Sequence, residues 1–165
     1  MKKTVASALI VLAAGACSGG QQVMSVDGTG FEVDDIPITT EASTVDLATF
    51  RNALNWVIRD VILMGVAEQE FRVSLDEAEV MEQAEAALSS LPEAQLEDPR
   101  ANLDYFLIQS RVGLQGLLWP QVDPHLPEGM SRNEWVIEQL SAADIEVDVR
   151  YGEWRTDPEP LVYGP

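Results

Sequence analysis

A chain with one cysteine, one histidine and no lysine beyond residue 3 has little chemistry to offer outside its carboxylates. The cysteine, Cys17, directly follows Ala14-Gly15-Ala16. Those small residues end an apolar run, Thr4 to Ala14, that begins behind the basic start Met1-Lys2-Lys3. This is the three-part layout of a secretory signal, and the run is shorter than the roughly 20 apolar residues of a membrane span. Ordinary cleavage here would leave Cys17 as a lone free thiol, a liability in an oxidising compartment. The histidine, His125, has Asp123 two residues before it. A structural or catalytic zinc needs more nitrogen or sulfur ligands than this chain holds. The acidic run Asp76, Glu77, Glu79, Glu82 and Glu85 lacks the spacing of a calcium loop and reads as a solvated helix face. Asp144, Glu146 and Asp148 read as the wet side of a strand. Nothing singles out one acid–base pair among 28 acidic residues. The chain has no Gly-x-Ser-x-Gly elbow, phosphate loop or Cys-x-x-Cys pair. The reading is a protein that is not an enzyme, with no metal and no cofactor.

A cysteine immediately after the small residues of an export signal resembles the lipobox of bacterial lipoproteins, with Ala14 where that family prefers Leu. The resemblance implies that residues 1–16 are a signal peptide and that Cys17 is diacylated and becomes the first mature residue. Localisation follows: exported, anchored by lipid to the cell membrane and facing outside the cytoplasm. Residues 17–165 keep all 28 acidic side chains and only eight arginines against them, a net charge of −20. Such a surface repels nucleic acid and anionic headgroups. Membrane attachment therefore falls to acyl chains, and two of them hold stably where one does not.

Elements must carry these residues. Ser18-Gly19-Gly20-Gln21-Gln22 reads as a flexible tether, making 17–22 the lipid-anchored linker. Val23 to Val26 reads as a strand, Asp27-Gly28 as its turn and Phe31-Glu32-Val33 as the return. A helix is expected from Ser43 or Thr44, with Leu47, Phe50, Leu54, Val57, Ile58, Val61 and Gly65 on its buried stripe. Trp56, Ile62, Met64 and Val66 fall off that stripe, so the helix is apolar on more than one side. Ser74-Leu75-Asp76-Glu77 has the pattern of a capping box, opening a second helix with the stripe Val80, Met81, Ala84, Ala87, Leu88 and Leu91. Asp98-Pro99 starts a third helix, apolar around most of its circumference, that Trp119-Pro120 is expected to end. Asp123 to Pro127 reads as a rigid loop. Ser131-Arg132-Asn133-Glu134 caps a fourth helix, which carries Trp135, Val136, Leu140 and Ala143. Ile145 to Val149 alternates as a half-exposed strand. The Pro-rich residues 155–165 read as an extended tail.

Taken in order, these pieces resemble the N-terminal chaperone domain of SurA-like and PrsA-like extracytoplasmic foldases. Val26-Asp27-Gly28 is similar to the family's Val-Asn-Gly turn. Glu70-Phe71-Arg72-Val73-Ser74, running into Leu75-Asp76-Glu77-Ala78-Glu79-Val80, is similar to its helix junction. Ile145 to Trp154 is similar to the closing strand of lipid-anchored, actinobacterial-type members, with Asp148-Val149 where those carry Asn-Pro. The resemblance implies a mainly α fold over residues 23–154: about four helices and a small β pair formed by the N- and C-terminal strands. The parvulin isomerase domain of the full-length foldases is expected to be missing, since 11 residues follow Trp154.

Trp56, Met64, Tyr105, Phe106 and Trp119 lie on helices already supplied with core residues. They are candidates to line a groove that binds unfolded or partly folded secreted proteins by adaptable apolar contact. The expected function is a membrane-tethered chaperone without isomerase activity. The alternative is an interaction lipoprotein that docks one folded envelope partner.

Overall fold

The computed structural model describes residues 21–36, 46–90 and 107–164. The first element is a hairpin, β1 (Gln22–Val26) and β2 (Thr29–Glu32), joined through Asp27 and Gly28. Both turn residues have positive φ, 49° and 80°, the mirror-image turn whose twist matches that of paired strands. The register shifts between Gln22 and Met24. That bulge breaks the alternation of a strand, so neighbours Val23 and Met24 both lie in the core. Of the linker expected over 17–22, the last two residues belong to the fold: Gln22 is in the sheet, and the Gln21 carbonyl accepts from the Val33 amide at 3.2 Å.

The third strand of this sheet comes from the far end of the chain. β3 (Ile145–Val147) pairs antiparallel with β1, giving the order β2-β1-β3. Asp27 ties the junction twice. Its amide donates to the Asp144 carbonyl at 2.7 Å, and its carboxylate accepts from the Asp144 amide at 3.0 Å. The pairing of the two chain ends is thus present, as part of three strands rather than two.

α1 (Leu47–Val66) runs beneath the sheet and buries Phe50, Ala53, Leu54, Val57, Ile58, Ile62 and Leu63. Its cap is Asp46, whose carboxylate accepts from the amides of Ala48 and Thr49; residues 43–45 lie outside the described ones. Leu47, placed on the stripe by periodicity, is 48% exposed because the core ends one turn later. Ile62 is buried, as a helix covered on two sides requires. α1 passes into a wide π-turn, Ala67–Phe71, and stops at Arg72, whose φ is 58°. The Val73 amide then bonds back to the Ala67 carbonyl at 3.1 Å.

α2 (Glu77–Leu88) follows. The expected box at Ser74 is not formed. The first helical residue is Glu77, so the orphan amides belong to Ala78 and Glu79, and the carboxylate of Asp76 reaches them. Ser74 lies two residues too early and is exposed.

α3 covers residues 107–122 of the described chain. Trp119-Pro120 does not end it. The helix continues through Trp119–Val122, preceded by a π-turn over Val112–Leu118. Proline lacks an amide donor and crowds the carbonyl four residues back; the widened turn relieves that crowding. A short 3-10 turn, Asp123–His125, occupies the expected loop.

α4 (Arg132–Ala142) carries the capping box read from sequence: Ser131 Oγ accepts from the Glu134 amide, and the Glu134 carboxylate accepts from the Ser131 amide. Trp135, Val136 and Leu140 are buried on its inner side.

The expected tail is part of the fold. β4 (Glu153–Arg155) and β5 (Leu161–Tyr163) form a second antiparallel sheet. β5 docks on α1: Val162 is buried, and its amide donates to Asn55 Oδ1 at 2.7 Å. Prolines before the strand concealed a short β-prone run, Leu161-Val162-Tyr163. This docking brings β5 close against Gly152. Gly152 has φ 151°, and a Cβ there would sit 2.4 Å from the Tyr163 carbonyl oxygen. Tyr151 stacks on Phe50 with centroids 4.6 Å apart. Among the described residues the architecture is four helices with two small antiparallel sheets, and no helix is long and apolar enough to cross a membrane.

Candidate functional site

α1 has a second face, turned toward α3. Trp56, Asp60 and Met64 are spaced by four residues and so form one line along the helix. Each is partly buried. Ser110 and Arg111 of α3 stand against this line. The Arg111 guanidinium lies over the Trp56 ring, 5.7 Å from its centroid, a distance at which cation and ring face attract. Next to it Ser110 is 7% exposed.

The contact is apolar in shape and unsatisfied in polarity. Arg59 Nε, Asp60 Oδ1 and Ser110 Oγ are all buried without a hydrogen-bond partner among the described residues. Desolvation pushes the Asp60 carboxyl up to about 6, while the Ser110 hydroxyl and the Arg59 charge pull it down by less. Ser110 is thus near enough to favour the charged form, but the geometry stops short of a formed hydrogen bond. A buried polar group left this way loses its water and gains no replacement.

α2 closes the other side of α3. Leu75 and Val80 pack over Gly113, and Gln83 approaches Gly116. Of the expected stripe, only Ala84 is buried; Val80, Ala87 and Leu88 are partly covered, and Met81 is 37% exposed. Leu91 lies outside the described residues. Glu77, Glu79, Glu82 and Glu85 are exposed around the stripe.

Of the groove candidates, Trp56 belongs to this face, and Met64, on the same line of α1, packs against the main core. Trp119 is not part of the face. It is 4% exposed, edge-on to Trp135 at 5.9 Å and covered by Arg132, which in turn pairs with Asp123. It is a core residue because the helix passes through Pro120 and carries it inward. Tyr105, Phe106 and Cys17 lie outside the described residues. His125 is exposed and stacks on Phe71 at 5.3 Å. Asp148 pairs with Arg150, whose bonds hold its carboxyl down at about 2. Among the described residues no group of three or more His, Cys, Asp or Glu side chains is placed to hold a metal ion.

Sequence reasoning passed over Asp60, Arg59 and Ser110. The signal was there for Asp60: a carboxylate midway between Trp56 and Met64 in steps of four interrupts an apolar face. Ser110 had no such mark, because its burial comes from a partner 50 residues away.

Comparison of the chain with models of known protein families, with curated proteins and with solved structures finds no match.

Proposed function

We propose that this chain is a membrane-tethered extracytoplasmic chaperone. It is held by lipid on Cys17 and binds unfolded secreted polypeptides through the apolar face shared by α1, α2 and α3, without isomerase activity and without a cofactor. The observation that carries this reading is the thin cover that the described residues give α2: of Val80, Met81, Ala84, Ala87 and Leu88, one is buried. Apolar surface left this open marks a place for another chain, and methionine adapts its shape to varied contacts. The surrounding glutamates keep the face soluble and favour basic clients. The likeness of the element order to SurA-type chaperone domains points the same way.

The test is an aggregation assay with residues 18–165 and several unrelated unfolding clients. Suppression across clients near equal molar ratio, weakened by Trp56→Ser and Met81→Ser, is expected. No suppression of any client would replace this reading with that of an adaptor for one folded partner, to be sought by crosslinking at the cell surface. Cys17→Ser is expected to release the protein from membranes; a variant that still fractionates with them would remove the lipid anchor.

A further inference from the structure

We propose that the turn joining β3 to β4, Asp148 to Tyr151, is a membrane-facing tip, with Val149 entering the headgroup layer and Arg150 bonding a phospholipid phosphate. This rests on the lipid anchor at Cys17 and not on what the domain binds. Two observations carry it.

The first is where the anchor lets the fold sit. Gln22, the first residue of β1, comes five residues after Cys17. A chain spans at most about 3.6 Å per residue, so Gln22 lies within about 18 Å of the lipidated residue. The sheet fixes what stands beside Gln22. Met24 pairs with Val147, and the Asp148 amide donates to the Val23 carbonyl at 2.9 Å. One step further along both segments, Val149 comes level with Gln22. Thr29, which pairs with Val26 at the other end of β1, is four strand steps away, about 13 Å. The end of the sheet that carries the Asp148–Tyr151 turn is therefore the end held at the membrane.

The second is the chemistry of the turn. The Tyr151 amide donates to the Asp148 carbonyl at 2.8 Å, which puts Val149 and Arg150 at the tip. Val149 is 84% exposed, and no other large apolar side chain among the described residues exceeds 48%. Arg150 is exposed as well. Its Nε and Nη2 donate to Asp148, which leaves the Nη1 donors for another acceptor. An aliphatic side chain beside an arginine with spare donors suits the boundary between acyl carbons and phosphates. On the opposite flank of β1, just past β2, Asp34 and Asp35 are exposed. Phosphates repel them, which tilts the β3 flank toward the lipid. Two residues would not hold a free protein on a bilayer. The anchor makes their contact intramolecular, at an effective concentration on the order of millimolar.

Fluorescence quenching tests the tip. The full chain, lipidated on Cys17, is placed on phosphatidylcholine vesicles that carry nitroxides on a fraction of their headgroups. Lipid occupies the one native cysteine, so Val149→Cys or Thr29→Cys supplies a single thiol for a fluorophore. Quenching at 149 is expected to exceed that at 29 at least about threefold, given their separation along β1. Equal quenching would overturn the tip. With the fluorophore moved to Gln22→Cys, adding Val149→Ser and Arg150→Gln is expected to reduce quenching about twofold, as the contact is lost. Unchanged quenching there would overturn the roles given to these two side chains. If a labelled variant fails to fold, hydrogen exchange on the unaltered lipidated chain decides: vesicles are expected to slow amides 149–151 relative to detergent and to leave 27–30 unchanged, and equal slowing removes the tip. A chain that does not float with the vesicles would remove the anchor, and the tip with it, so the two failures are told apart.

Discussion

α1 and α2 are both good helices, formed for different reasons. α1 buries seven of its 20 residues; α2 buries one of its 12. α1 contains Thr49, Val57, Ile58, Val61 and Ile62, β-branched residues that lower intrinsic helix propensity. It is helical because its sides are covered by the sheet, β5 and α4. α2 reads Glu-Ala-Glu-Val-Met-Glu-Gln-Ala-Glu-Ala-Ala-Leu, almost all strong helix formers. It is helical because of its own sequence and its cap. The difference teaches where stability resides: α1 belongs to the main core, and α2 to an arm packed on α3.

The largest test of that division is a pair of truncations. Leu54→Ala, at a fully buried position, is expected to cost about 3 kcal/mol of global stability. Leu88→Ala, on the arm, is expected to cost under about 1 kcal/mol. Urea midpoints that moved equally would merge the two regions into one unit.

Next comes the carboxyl between α1 and α3. Asp60 is raised from 3.8 to about 6 in the fold. The folded state therefore holds the proton more tightly than the unfolded chain, and stability is lost as pH rises through that window. Asp60→Asn is expected to stabilise the protein by about 2 kcal/mol at pH 7 and by nothing near pH 3.5. A gain that did not fade with acidification would assign the effect to packing instead of charge.

Asp27→Ala removes a tie within the core region itself. Loss of the carboxylate bond to the Asp144 amide is expected to cost about 1 kcal/mol, visible as a lower thermal midpoint. The smallest effect belongs to the arm. Asp76→Ala is expected to weaken α2 by about 1 kcal/mol, seen as faster amide exchange within Glu77–Leu88 with little change in the global midpoint. Ser74→Ala should leave both unchanged, and an effect there equal to that of Asp76→Ala would restore the earlier start of the helix.

Much of the frame was legible because it is encoded locally. The Asp27-Gly28 turn, the Ser131–Glu134 box and the 3.6-residue stripe of α1 each depend on residues a few positions apart. What was not legible depends on distant partners. Asp76 outcompetes Ser74 for the cap because of where Arg72 and Val73 stop the preceding turn. Trp119 lies inside because the π-turn lets the helix run through Pro120. The last strand was hidden by its prolines, and its position follows from Asn55, more than 100 residues earlier. The candidate site was half legible: Trp56 and Met64 stood out as surplus apolar residues, whereas the polar atoms between them gain meaning only from Ser110 across the contact.

The bond between Asp27 and Asp144 spans 117 residues of chain. A polypeptide appearing from its N-terminus, whether from a ribosome or a membrane pore, presents β1 and β2 first and β3 among the last. Until β3 arrives, β1 has one free edge, and its inner residues Val23, Met24 and Val26 have no completed core to enter. Such long-range closure is slow compared with the formation of helices. The order of appearance therefore sets a clock: the helices can form as they emerge, but the domain becomes a single body only when almost its whole length is present.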